Sequence, residues 1–236
     1  MKSSRKSSTL FVNISILLIA AFMYIALLSP VSVVKLRQSS AYPVYRAATD
    51  DSVALIIAVP WAASSLDAIL DTLEKNGQTV TFAVSGRVAE SIPDALRRMS
   101  EAGHEIAVMG YEPEKDGDRD FIVSDLKRAV NAIEKASGEK PLVYYCGTRE
   151  PGVSASAANS LGMVTVLPTF DLDCASGTSF DIESRLDSNV FGGCFIAASP
   201  TAQFEESLPF LLESIKNMGL HIVHTHKMLY NHTDKL

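Results

Sequence analysis

The sequence predicts an α/β domain built on a parallel sheet or a (β/α) barrel, preceded by one N-terminal transmembrane helix. Three observations carry this reading. Strand-length apolar runs alternate with amphipathic helical stretches from about residue 51 to residue 230. The first strand candidate is a continuous apolar run, as expected of a strand covered on both faces. Residues 9–34 contain no charged side chain at all.

That uncharged stretch comes first. Its core, residues 10–28, is rich in Leu, Ile, Ala and Phe. At 1.5 Å rise per residue, about 20 such residues cross the hydrocarbon. Lys2, Arg5 and Lys6 precede it and Lys35 and Arg37 follow it, a modest bias that favours a cytoplasmic N-terminus and an exported body. The alternative is a cleaved signal peptide, but the run is long for one and no A-x-A site closes it. The expected layout is therefore a cytoplasmic N-terminus (1–8), an anchor (9–34), a polar stem (35–50), a domain (51–230) and a tail (231–236). The expected location is the cell membrane, single-pass, with the domain extracytoplasmic.

Within the domain, residues 53–59 form the first strand, ended by Pro60. Ser64 and Ser65 are placed to cap a helix whose apolar face is Leu66, Ile69, Leu70 and Leu73, with Gly77 beyond its end. Residues 79–84 are the second strand. Ile92, Ala95, Leu96 and Met99 mark a second helix closed by Gly103, and 104–109 is the third strand. A helix over 121–136 carries Leu126, Val130 and Ile133 on one face. Strands at 141–145 and 163–167 flank a short helix at 154–161. A late strand at 195–198, a helix built on Leu208, Leu211, Leu212 and Ile215, and a closing strand at 220–224 complete the order.

Composition narrows the function. The chain has 236 residues, 47% of them hydrophobic and 20% charged, with a net charge of -6. That is a globular body with no electrostatic basis for holding nucleic acid. Cys146, Cys174 and Cys194 have no metal-site spacing. One bridge is open to them, with Cys174 and Cys194 the nearest pair in sequence.

The order of elements, with its local motifs, resembles the polysaccharide deacetylase family, the NodB-homology domain, over about residues 51–230. Residues 55–61, 66–73 and 79–84 resemble the family's first strand, helix and "ATFFV" strand. Residues 102–106 read AGHEI, nearly the family's own motif. Residues 132–141 resemble its "IxxxTGxxP" turn, and 208–223 its C-terminal helix and strand. The resemblance implies a distorted (β/α) barrel with a groove for amino-sugar polymers at the C-terminal ends of its strands.

It also implies where metal-assisted amide hydrolysis would be housed. A cation polarises the acetyl carbonyl and activates water, a carboxylate acts as base, and an acid protonates the leaving amine. The family's paired aspartates fall on Ala58 and Val59. Its metal-binding histidines fall on Met109 and Pro113. Its late acid falls on Ala198. An arginine-bearing loop has only Arg149, about three places late. Alanine and valine cannot ligate, and methionine is a poor ligand for a hard or borderline ion. The expectation is a catalytically degenerate domain that needs no cofactor and binds cell-wall or other amino-sugar glycan or a partner protein. An active deacetylase with relocated residues is the alternative, and it requires zinc or another divalent cation.

Eight further positions, Tyr145 among them, are candidates for a relocated site or a groove wall. Asp171 and Asp173 sit at i and i+2 on the expected active rim, but also suit a polar turn. His224 and His226 would share one face of an extended strand, but also suit a solvated strand end. His104 suits a core histidine bonded to backbone. Arg149, preceded by Tyr144 and Tyr145, suits a sugar or a carboxylate. Trp61 suits stacking on a pyranose ring or capping the barrel.

Overall fold

The computed structural model describes residues 42–172 and 178–230. The expected anchor at 9–34, the tail, Asp173 and Cys174 lie outside the described residues. Among those described, no helix is long and apolar enough to cross a membrane.

The elements run β1 (Ser52–Val59), α1 (Leu66–Lys75), β2 (Thr81–Val84), α2 (Gly86–Ser91), α3 (Pro93–Glu101), β3 (Glu105–Val108), α4 (Arg119–Ser137), β4 (Val143–Tyr145), α5 (Pro151–Ser160), β5 (Val164–Val166), β6 (Phe170–Asp171), α6 (Ser179–Asn189), β7 (Phe195–Ala198), α7 (Ala202–Asn217), β8 (His221–Ile222) and α8 (Thr225–Tyr230). The strands form one parallel sheet in the order β5-β4-β3-β2-β1-β7-β6, with β8 beside the start of β1. Helices follow the strands as crossovers, and the sheet curls into a half-barrel.

The pleat divides the apolar residues of each strand between two cores. Leu55, Ile57 and Val59 of β1 point outward and pack with Phe82, Ile106 and Tyr144 against the helices. Ala54, Ile56 and Ala58 point inward, joined by Ala83, Ala107, Val143, Phe195 and Ala197. The inner face is rich in alanine because a tightly curled sheet leaves little room there. The alternation is hidden in the sequence since both faces are buried.

The expected helix around 92–99 is α3, and a short helix the sequence reading did not separate, α2, precedes it. Ile92 divides the two and Pro93 opens α3, where its missing N–H costs nothing. Ser65 stands at the N-cap of α1 but makes no cap bond. Its Oγ donates to the Pro200 carbonyl instead (2.5 Å). Cys194 is a free, buried thiol, so the bridge considered with Cys174 is not made; Cys146 is likewise free and buried.

The expected strand at 220–224 is only two residues long. The chain then turns into α8, which closes the base of the barrel with Met228 in the inner core. The Glu105 carboxylate accepts from Thr81 Oγ1 (2.6 Å) and from the His226 backbone N–H (3.1 and 3.2 Å). The N–H and hydroxyl of Thr225 both donate to Thr81 Oγ1 (3.0 and 2.9 Å). Burial raises the Glu105 carboxyl above its ordinary value.

Residues 42–50, on the stem side of the expected boundary at 51, are bonded into the seam between the two sheet edges. Val44 N–H donates to Thr165 O (2.9 Å), and Val44 O accepts from Leu167 N–H (3.0 Å). Ala47 N–H donates to Gly193 O (3.0 Å), and Thr169 Oγ1 donates to Tyr45 O (2.7 Å). Two glycines permit this close approach. A Cβ at Gly192 would lie 2.3 Å from the Asp50 carbonyl carbon, and one at Gly193 would lie 2.3 Å from Ala47 O.

Candidate functional site

A groove of about 560 Å³ opens at the C-terminal ends of the strands. Its floor is Ala58 from the end of β1, Met109 just after β3 and Tyr145 from the end of β4. Pro60, Trp61 and Ala62 make one wall, and Arg87, Val88 and Ser91 of α2 another. Pro113 and Glu114, then Gly147 and Thr148, follow from the next two loops. Asp171 and Ser199 close the rim. Trp61 is 68% exposed, an indole held at the mouth with most of its surface in water.

The loop after β3 is held from beneath. Arg149 is 2% exposed, and its Nη2 meets Asp125 Oδ2 at 2.8 Å. The guanidinium also donates to the carbonyls of Lys115 (2.9 Å) and Glu112 (2.7 Å). Asp125 accepts from the N–H groups of Tyr111 (2.9 Å) and Glu112 (3.0 Å). Gly110 sits over this clamp with φ 103°, and a Cβ there would stand 2.5 Å from Asp125 Oδ2. A buried ion pair is tolerable when its spare donors and acceptors are used, and here all but Arg149 Nη1, which is buried without a hydrogen-bond partner, tie the loop that carries Met109, Pro113 and Glu114. On the surface of the same loop, Arg87 pairs with Glu112 and with Glu114 (3.2 Å), and Lys115 with Glu112 (2.7 Å).

The expected site residues separate into two groups. Ala58, Met109, Pro113, Trp61, Tyr145 and Asp171 all line the groove. The others do not. Val59 is fully buried in the outer core, because the pleat turns it away from Ala58. Ala198 also faces the outer core, and the side chain presented to the groove at that strand end is Ser199. Arg149 is spent on the clamp rather than offered to a ligand.

His104, His224 and His226 lie at the other end of the barrel. His104 is 4% exposed at the foot of β3, and its Nδ1 accepts from Val80 N–H (3.2 Å). It meets the Phe82 ring edge-on at 5.1 Å. Burial, with smaller contributions from His224 and Arg98, pulls its pKa down to about 4. His226 does not extend along a strand with His224: it is in α8, stacked on Tyr230 at 4.2 Å. Its backbone is bonded to Glu105, four residues down β3 from Met109, which is about 13 Å along a strand.

The donor chemistry of the groove does not fit a divalent cation. Hard or borderline ions take carboxylate oxygen, imidazole or thiolate. The inward positions of the floor carry a methyl group, a thioether and a phenol, and Pro113 offers nothing. The carboxylates of the lining are Glu114, already paired with Arg87, and Asp171 across the rim. Burial, then the charge of Asp171, pushes the Tyr145 phenol up, so it stays protonated. Burial holds Cys146, next to the groove, as a neutral thiol near 12. Among the described residues, the site is a cleft with an apolar floor and an exposed aromatic plate at its mouth, with Asp171 and Glu114 as the carboxylates of its lining.

Sequence reasoning missed Ser199, Arg87 and Asp125. Only Asp125 left a signal, as a carboxylate beside Leu126 on the apolar stripe of the helix at 121–136.

Residues 47–166 match the family model described as polysaccharide deacetylase. A curated relative, the uncharacterized protein YlxY of Bacillus subtilis, is 27% identical over 184 residues, 75% of this chain and 57% of that protein. The chain therefore spans little more than half of that relative's length. Among solved structures, the wild-type family 4 carbohydrate esterase pseudoenzyme BA3943 of Bacillus anthracis superposes with TM-score 0.75 at 23% identity, over 80% of this chain and 69% of that one. The peptidoglycan N-acetylglucosamine deacetylase Bc1960 superposes with TM-score 0.74 at 19% identity, over 80% and 92%. At these identities the superpositions speak for the fold, a distorted barrel of the deacetylase type.

Proposed function

The chain belongs to the polysaccharide deacetylase family, and we propose that it is a member that binds envelope glycan or a protein partner without hydrolysing it. One observation carries this reading. Ala58, Met109 and Pro113 stand on the groove floor at the places the resemblance assigns to a base and to metal ligands. Val59, at the fourth place, points out of the groove altogether. The loop that shapes the floor is nonetheless held by a buried ion pair, so the cleft keeps a fixed form without the chemistry. A shaped, ligand-sized cleft with an exposed tryptophan suits carbohydrate, whose apolar ring face stacks on an indole. The family name supports a glycan as ligand. Residues 9–34 support a membrane anchor with the domain outside the cytoplasm, by their length, lack of charge and preceding basic residues.

The relocated-enzyme reading needs Asp171, Asp173 and one late histidine, His224 or His226, in one site. His226 is tied to the base of the barrel while Asp171 stands on the groove rim, and no observation favours that reading.

The test is zinc titration by calorimetry on the full-length protein in detergent, with acetate release followed on N-acetylated chitin oligomers and peptidoglycan. The expected result is no zinc binding tighter than millimolar and no acetate, with oligomer binding weakened by Trp61→Ala. Micromolar zinc together with acetate release would overturn it.

A further inference from the structure

The seam segment carries a surface that the groove does not use. Tyr42 is 74% exposed and Tyr45 is 51% exposed. Between them Val44 is bonded into the seam, so both rings project from backbone that cannot drift away from the barrel. Next to Tyr45, the Arg46 guanidinium lies 4.8 Å from the centre of the Phe191 ring, and its Nη2 donates to Gly192 O (3.3 Å). Phe191 is itself 43% exposed. Two large rings, Tyr42 and Tyr45, are thus held outward on the segment through which the chain enters the domain, and Arg46 of that segment lies over a third, Phe191. The close approach of the Asp50 backbone to Gly192 fixes the segment against the turn that carries Phe191.

Seven residues, 35–41, separate the end of the uncharged run at Val34 from Tyr42. Fully extended they reach about 25 Å. An anchored chain of this design cannot carry Tyr42 far from the bilayer. Tyrosine, tryptophan and arginine partition to the headgroup layer, where a ring is half-buried and a polar tip stays wet. Exposed aromatics clustered on a soluble domain mark a surface meant to be covered.

We propose that Tyr42, Tyr45, Arg46 and Phe191 form a docking face for the lipid headgroup layer, so that the domain rests on the outer leaflet instead of swinging on its tether. This rests on the anchor reading above. Because three of the four side chains are aromatic and the guanidinium of Arg46 already lies over Phe191, docking depends on aromatic partition and not on anionic lipid.

The test uses the full chain, in a Cys174→Ser background, reconstituted in phosphatidylcholine vesicles. Cys146 and Cys194 are buried and do not label. A fluorophore is placed on the patch by Ala48→Cys and, for reference, on the turn after α4 by Glu139→Cys. Nitroxide-bearing lipids are then added. The expected result is loss of fluorescence at position 48 but not at 139, unchanged between low and high salt. The loss disappears when Tyr42, Tyr45 and Phe191 are all changed to Ser, while the protein still floats with the vesicles. Flotation with equal, weak quenching at both positions would overturn the docking face and leave the anchor standing. Failure to float after alkaline carbonate washing would overturn the anchor, and the docking face with it.

Discussion

The two ends of the barrel have exchanged the properties expected of them. The mouth, where the strands finish, is open and apolar-floored, and carries Ala58, Met109 and Pro113 where a hydrolase of this family needs ligands. The base, where the strands begin, is closed by α8 and gathers the titratable groups His104, Glu105 and His224, with the His226 backbone N–H bonded to Glu105. Both ends are built on the same strands. Position along a strand therefore decides what a histidine or a carboxylate can do. At the base, the Glu105 carboxylate holds a short helix against the sheet and the His104 imidazole accepts from the Val80 backbone. At the mouth, the described lining offers Ala58, Met109 and Tyr145 as a floor framed by the loops that follow the strands.

The largest effect that sharpens this contrast comes from adjacent residues. Val59→Asp puts a carboxylate into the outer core and is expected to cost well over 4 kcal/mol or to prevent folding. Ala58→Asp puts the same group into the groove and is expected to cost no more than about 1 kcal/mol. Urea unfolding of the pair tests this, and equal losses would mean that the pleat assignment is wrong. Next is the clamp. Arg149→Met strands a buried Asp125 and should cost about 3–5 kcal/mol. The double change Arg149→Met with Asp125→Leu should recover a large part of that stability but not the groove, read as oligomer affinity.

The base can be broken by acid. His104 binds a proton near 6.5 when unfolded and near 4 when folded. The unfolded state therefore holds more protons between those values, and stability falls as pH drops from about 6.5 to about 4. The loss is on the order of 3 kcal/mol and levels off below that window. Glu105, raised by burial, contributes a slope of opposite sign above its ordinary value. His104→Asn keeps an acceptor for Val80 N–H and removes the titration, so the difference between the two stability–pH curves isolates the histidine. Smallest in stability is Trp61→Ala, expected within about 0.5 kcal/mol because the ring is exposed. Its effect belongs to ligand binding alone.

Much of this was legible in the sequence where a residue's surroundings are local. Residues 53–59 read as a strand because they are uniformly apolar and end at Pro60, and 79–84 and 104–109 because their apolar residues form strand-length runs between helical stretches. The same uniformity concealed which side chains face inward, so Val59 and Ala198 were assigned to a groove that they turn away from. Asp171 was expected on the rim from its place shortly after the strand at 163–167, and it lines the groove there as the last residue of β6. The places of His224 and His226 were not legible, because two residues of strand followed by a six-residue helix leave no periodic trace. The seam at 42–50 was read as a stem. Its backbone bonds join residues more than a hundred positions apart, and no local pattern encodes that.

The seam also gives the molecule a mechanical character. A pull on the chain at Tyr42 loads the backbone bonds between Val44 and the strand edge at Thr165 and Leu167 first, and then the Ala47–Gly193 bond. These are few, and they lie beside two glycines that no larger residue can replace. The weakest link under load is therefore at the point where the chain enters the domain, and tension there would open the barrel along its seam before it disturbed the groove.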